Sequence, residues 1–196
     1  KTKPFGFMPF YPGPGVGGHC IPVDPYYLLW KAREYDFYTK FIELAAEVNE
    51  AMPYHVVELV TDALSQGGLP VKGASVLVLG VAFKPAVDDP RNSPARRVIE
   101  LLLNRGADVN YHDPYVPRFQ VGDDVFHRRS VALESVSLTD DELSSADCVV
   151  IVTGHRDVDY ERVVTQAARV VDTCNAAADV DESLGNVSRL GAPDRT

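Results

Sequence analysis

Cys20 stands near the end of a run, FYPGPGVGGHCIPVDP over residues 10–25, in which Gly13, Gly15, Gly17 and Gly18 crowd ahead of the thiol. Backbone with so few side chains can approach a ligand closely, and successive bare N–H groups form a concave nest for anionic oxygens. A lone cysteine is commonly a small buried hydrophobe. Two features point instead to an exposed nucleophile: the glycine run serves no packing purpose, and Asp24 follows four residues on. The start of a helix, loop amides and nearby lysines would favour the reactive thiolate. Asp24 alone would act the other way, so its fitting work is to orient or activate water as a general base. His19 adjoins Cys20, but adjacent side chains in an extended loop point apart, which argues against a Cys–His dyad. A second set, Lys84, Arg91, Arg96 and Arg97, lies close together in sequence. These cations could hold a pyrophosphate or be solvated surface charges.

The elements that must position these groups follow from local pattern. Residues 1–24 lack periodicity and read as loop. Asp24 as a cap with Pro25 at the first helical position opens a helix reaching about residue 34. A longer helix starts at Thr39, in which Ile42, Ala45, Ala46, Asn49, Met52, Val56, Val60, Ala63 and Leu64 keep a three-to-four spacing. Pro53 should kink it, and Gly67 and Gly68 stop it. Leu44, Val48, Val57 and Leu59 fall off the main stripe, so a second face is expected to be buried, as in a domain-spanning core helix.

From residue 70 the pattern becomes βαβ. Strands are expected at 75–79, 108–111, 147–152 and 169–172. A helix capped by Ser93 or Asn92 should run from Pro94 to near Gly106, with Val98, Leu101 and Leu102 inward. Residues 118–140 read as irregular, with one short strand and a helix near 139–145, and the tail after residue 176 as polar with a possible short helix. The alternation implies an α/β fold, a Rossmann-like doubly wound parallel sheet preceded by a catalytic loop and a long central helix. The expected division is 1–68 for the loop and helices and 69–196 for the sheet domain, with the sheet's core formed within residues 70–175.

The first βα turn decides where a dinucleotide could bind. After the strand comes GVAFKPAVDDPR, with Gly80 but without the G-x-G-x-x-G that grips a pyrophosphate. This sheet is therefore not expected to bind NAD.

The segments GVGGHCIPVDPYYL, FIELAAEVNEAMP, GVAFKPAVDDPRNSPA and YHDPYVP, in this order, resemble the UDP-glucose/GDP-mannose dehydrogenase family, and the GHCIPVDPYYL wording its branch acting on UDP-N-acetylhexosamines. The likeness covers that family's carboxyl-terminal half and fades after about residue 120. It implies an NAD-dependent oxidation of a sugar nucleotide's primary alcohol to a carboxylate, serving polysaccharide biosynthesis. Position by position, it implies Cys20 as nucleophile and Asp24 in the catalytic water network. The loop with Phe10, Tyr11, Gly13, Gly15, Gly17 and Gly18 would cradle uridine diphosphate. Lys84 would reach the nucleotide sugar, and Arg91 would contact NAD across an interdomain cleft. The NAD fingerprint domain would precede Lys1, so the chain reads as a fragment, inactive alone. The long helix would lie at a homodimer interface. One departure is Asp172-Thr-Cys174, where the family usually shows Asp-x-Arg; Pro85, in place of a frequent second lysine, is a lesser one.

Composition sets the outer bounds. The chain has 196 residues, and its net charge of −9 argues against nucleic acid, which needs a basic field. Three distant cysteines make neither a disulfide framework nor a metal-ligand spacing, usage that fits the cytoplasm. The amino end has no apolar signal region, and no apolar run approaches membrane-spanning length. Two other readings stay open: a non-catalytic sugar-nucleotide-binding or dimerisation module, and an oxidoreductase binding NAD in this sheet.

Overall fold

The computed structural model describes residues 2–7, 10–125, 127–181 and 185–191. In chain order the elements are α1 (Asp24–Arg33), α2 (Lys40–Gln66), β1 (Ser75–Leu79), α3 (Pro94–Asn104), β2 (Asp108–His112), β3 (Arg118–Val121) and β4 (Val131–Glu134). They continue with α4 (Asp140–Ser145), β5 (Cys148–Ile151), α5 (Tyr160–Gln166), β6 (Val170–Asp172) and β7 (Val187–Arg189). Five strands form a parallel sheet in the order β2-β1-β5-β6-β7, while β3 and β4 pair as an antiparallel hairpin.

Side chains alternate across a strand, and β1 shows how the sheet is covered on both faces. Val76 and Val78 enter one core with α2 and α3, whereas Leu77 and Leu79 enter the other with residues of α4 and α5. Each buried valine or leucine is worth roughly 1.5–3 kcal/mol relative to exposure. The first core takes in Val56, Val57, Val60, Ala63 and Leu64 of α2. The core thus reaches beyond residues 70–175, because α3 alone is too narrow to cover that face. Helix α2 is assigned without a break through Pro53, which is buried, and ends at Gly67. Ser93 caps α3, its hydroxyl accepting the Ala95 N–H at 3.2 Å.

Three local expectations need correction. Asp24 is the first residue of α1 and Pro25 the second; Val23 is the cap position, with no side-chain cap bond. Residues 118–134 hold two strands, not one, since RFQV and VALE supply alternating inward residues for a hairpin. Among the described tail residues the regular element is β7, a strand on the sheet's edge, in place of a short helix. Helix α5 carried no individual sequence expectation. No described helix is long and apolar enough to cross a membrane.

Candidate functional site

The turn after β1 is fixed by groups from the neighbouring strands. Gly80 has φ of +83°, and a Cβ there would lie 2.3 Å from the Thr153 carbonyl oxygen, so the position admits only glycine. Buried Asp113, just past β2, accepts the Val81 and Ala82 N–H groups on Oδ2 at 2.7 and 2.9 Å. Its Oδ1 accepts the N–H groups of Tyr115 and Val116 at 2.8 and 3.1 Å. His155, past β5, accepts the Ala86 N–H on Nδ1 at 3.3 Å, which places the ring proton on Nε2, 3.1 Å from Asp113 Oδ2. Burial pushes the Asp113 carboxyl up, but the His155 and backbone hydrogen bonds outweigh it and leave it at about 2. A dinucleotide fold would turn the N–H groups of this bend toward a pyrophosphate. Here a carboxylate consumes them, so the turn does not fit NAD.

Beyond the carboxyl ends of β1, β5 and β6 lies a cleft of about 500 Å³, the place where open α/β sheets hold ligands. Its walls include Gly15, Phe83, Lys84, Arg156, Tyr160 and Cys174. Lys84 is exposed, with Nζ 5.2 Å from the Phe83 ring centroid. Burial, then the Asp172 carboxylate, pushes the Cys174 thiol up to about 12, so it is a neutral wall.

The glycine loop lies against the turn that carries Lys84. A Cβ on Gly17 would sit 2.7 Å from Asn92 O and 2.8 Å from Phe83 Cβ. Gly18 donates its N–H to Arg91 O at 3.3 Å, and Asn92 Nδ2 donates to Gly18 O at 3.0 Å. The expectation that this run serves no packing purpose is therefore corrected: its partners lie far along the chain, on the 83–94 turn. Gly13 has open space around it, and Phe10 and Tyr11 are exposed.

Cys20 and Asp24 share a different site. Together with Asn49 they line a largely apolar groove of about 770 Å³ between the loop, α1 and the start of α2. The Cys20 carbonyl accepts the N–H groups of Val23 and Asp24 at 3.1 and 2.8 Å, which turns the chain into α1. Since Asp24 is not spent as a cap, its carboxylate remains available beside the exposed thiol. No lysine is found among the described residues lining this groove. His19 turns elsewhere, with Nε2 3.8 Å from Asp89 and its ring edge-on to Phe83.

The remaining cations are engaged. Arg91 grips Asp89 through Nε and Nη2 at 2.9 and 2.8 Å, which holds the Asp89 carboxyl well below the usual carboxylate range. Arg96 lies over the Phe119 ring, and Arg97 pairs with buried Glu100 at 3.3 Å. The structure thus unites Cys20 with Asp24, and Lys84 with Gly15, in two separate hollows. Asn49, Asp113, His155 and Arg156 were not singled out from sequence. A polar residue inside an apolar stripe was the available signal for Asn49, and an acid directly after a strand the signal for Asp113.

Such an assembly is an open α/β ligand-binding domain joined to a helical segment bearing a candidate nucleophile. Residues 77–179 match the UDP binding domain of the UDP-glucose/GDP-mannose dehydrogenase family, and residues 1–51 match its central domain. A UDP-N-acetyl-D-mannosamine dehydrogenase of Methanococcus maripaludis is 35% identical over 144 residues, 74% of this chain and 29% of that protein. A UDP-N-acetyl-D-glucosamine 6-dehydrogenase of Salmonella typhi is 35% identical over 152 residues, 78% of this chain and 34% of that protein. The solved UDP-D-ManNAc dehydrogenase of Pyrococcus horikoshii superposes with a TM-score of 0.70 at 31% identity, covering 88% of this chain and 38% of that one. The chain belongs to the UDP-glucose/GDP-mannose dehydrogenase family. It spans about a third of the length of the curated relatives it matches.

Proposed function

We propose that this chain forms the sugar-nucleotide side of an NAD-dependent UDP-sugar 6-dehydrogenase, which oxidises the primary alcohol of a UDP-hexose or UDP-N-acetylhexosamine to the uronate for polysaccharide assembly. The observation that carries the reading is Cys20, exposed behind a glycine loop and sharing its groove with an uncommitted Asp24 carboxylate. Residues 1–68 act as catalytic loop and central helices, and residues 69–196 as the UDP-sugar-binding domain. The loop with Phe10, Tyr11, Gly13, Gly15, Gly17 and Gly18 takes the uridine diphosphate, and Lys84 binds its anionic oxygens. Arg91, held in place by Asp89, faces the cofactor side. NAD supplies the oxidising equivalents from a glycine-fingerprint domain outside these residues.

Within the chain the chemistry is the cysteine's. Cys20 Sγ bonds to the carbon of the aldehyde left by the first oxidation, and the carbonyl oxygen takes a proton, giving a thiohemiacetal. Loss of that carbon's hydride, as the second of the two oxidising equivalents, together with release of the hydroxyl proton leaves a thioester. Asp24 takes a proton from the attacking water, the C–S bond breaks, and the carboxylate departs while sulfur regains its proton. The exposed apolar residues of α1 and early α2, among them Trp30, Phe41 and Leu44, form a face that a second copy covers through α2.

Calorimetric titration of the 196-residue chain with UDP, UDP-N-acetylglucosamine, UDP-N-acetylmannosamine and NAD tests the reading. Binding of the UDP ligands with NAD weaker is the expected order. NAD binding tighter than every UDP ligand would overturn it, and so would NADH production by this chain alone.

A further inference from the structure

Two cations line the strand-end cleft without an acidic partner among the described residues. Arg91 is spent on Asp89, Arg97 on Glu100, and Arg162 on Asp140. Lys84 and Arg156 line the cleft together, and among the described residues neither makes a hydrogen bond or ion pair. In a chain of net charge −9, two unpaired cations at one cleft mark a place prepared for an anion.

The loops that carry them are tied together. Lys84 and Arg156 flank the hydrogen bond from the Ala86 N–H to His155 Nδ1, which ties the loop after β1 to the loop after β5. His155, on one side of Arg156, is pinned to Asp113; Asp157, on the other side, accepts the Tyr115 hydroxyl. The acids nearest Arg156 are thereby engaged, since Asp159 also caps α5 by accepting the Arg162 N–H at 3.0 Å. The facing walls bring no charge: Gly15 and Pro14 stand on one side and the Cys174 thiol on another.

We infer that Arg156 is a second diphosphate-binding residue, gripping one phosphoryl group of a nucleoside diphosphate sugar while Lys84 takes the other. The inference rests on the sugar-nucleotide reading proposed above and assigns Arg156 a part in it. An arginine fork can meet two phosphate oxygens at once, whereas an ammonium acts as a point charge. A diphosphate diester carries one negative charge on each phosphorus, which two separate cations match. Arg156 is assigned the sugar-side phosphoryl group, which a nucleoside monophosphate lacks.

The test is a titration of the isotope-labelled chain, followed by NMR shifts, with UDP and with UMP, for the wild type and for Arg156→Ala and Arg156→Lys. Arg156 is exposed, so both variants should melt as the wild type does. Arg156→Ala is expected to weaken UDP about tenfold and UMP by less than about threefold, with Arg156→Lys between. Unchanged UDP affinity in Arg156→Ala would overturn the role of Arg156 and leave the sugar-nucleotide reading standing. An equal loss for UDP and UMP would also overturn it, because Arg156 would then not read the second phosphate. A wild-type chain that binds neither UDP nor UDP-sugars would overturn both.

Discussion

Helix α2 carries apolar residues along its whole length, on its main stripe and off it, yet its two halves end in different surroundings. In the carboxyl half Val56, Val57, Val60 and Leu64 are fully buried beneath the sheet. In the amino half Phe41, Leu44 and Val48 keep 88, 54 and 54% of their surface exposed, and α1 beside it buries no residue at all. Periodicity alone does not separate the halves, because a stripe records that a face is to be buried and not what will receive it. The sheet receives the second half. The first half borders the Cys20 groove and the proposed contact with a second copy. The difference teaches that the stability of this chain and its proposed chemistry draw on separate stretches of α2.

Thiol reactivity offers the widest contrast between the regions. Burial pushes the Cys148 thiol up to about 12, whereas Cys20 lies open in its groove. Iodoacetamide should label Cys20 at least about a hundredfold faster than Cys148 in the folded chain, as read by peptide mass spectrometry. Equal rates would erase the distinction. A core truncation comes next: Leu64→Ala should cost roughly 2–5 kcal/mol in urea unfolding, through lost burial and the cavity left behind.

Asp113 tests how much of the buried side is electrostatic. Its carboxyl is held down at about 2, so its contribution is fully present above the unfolded value near 4 and is lost as pH falls toward 2. That shift corresponds to about 2 kcal/mol. Urea midpoints between pH 5 and pH 2 should fall less steeply for Asp113→Asn than for the wild type. The smallest effect belongs to the exposed half. Leu44→Ser should change stability by less than about 0.5 kcal/mol while lowering the self-associated fraction in sedimentation velocity. A large stability loss there would show that the amino half of α2 is buried within the single chain.

What could be read from sequence tracks how locally each feature is determined. The run at Ser75–Leu79, the Ser93 cap and the Gly67 stop rest on neighbouring residues, and all three were legible. Asp24-Pro25 marked a helix start, but the pair fits the first two helical positions as well as cap and first position, and the structure takes the former. The need for Gly17 was hidden because Asn92 and Phe83, which crowd it, come from a distant turn. Likewise Asp113 and His155 meet only after β2 and β5 have both paired with β1. The tail strand VSR has little strand character of its own and depends on the edge that β6 presents. Cys20 and Asp24 were legible as a pair because Asp24 follows four positions after Cys20; the separation of Lys84 from that groove was not.

That tail strand also governs how copies of the protein can meet. Without β7 the sheet would end at β6, whose Val170 and Val171 would offer an unpaired ladder to any passing strand. The opposite margin is guarded too, since Val136 N–H bonds to Tyr111 O at 2.9 Å and Ser135 bridges to Tyr111 on the outside of β2. With β7 itself only three residues long and carrying Arg189, neither margin invites edge-to-edge polymerisation. Among the described residues, growth of the sheet into an open-ended fibre is discouraged at both ends, and the proposed pairing of copies would fall to helical surfaces, where a two-fold contact closes on itself.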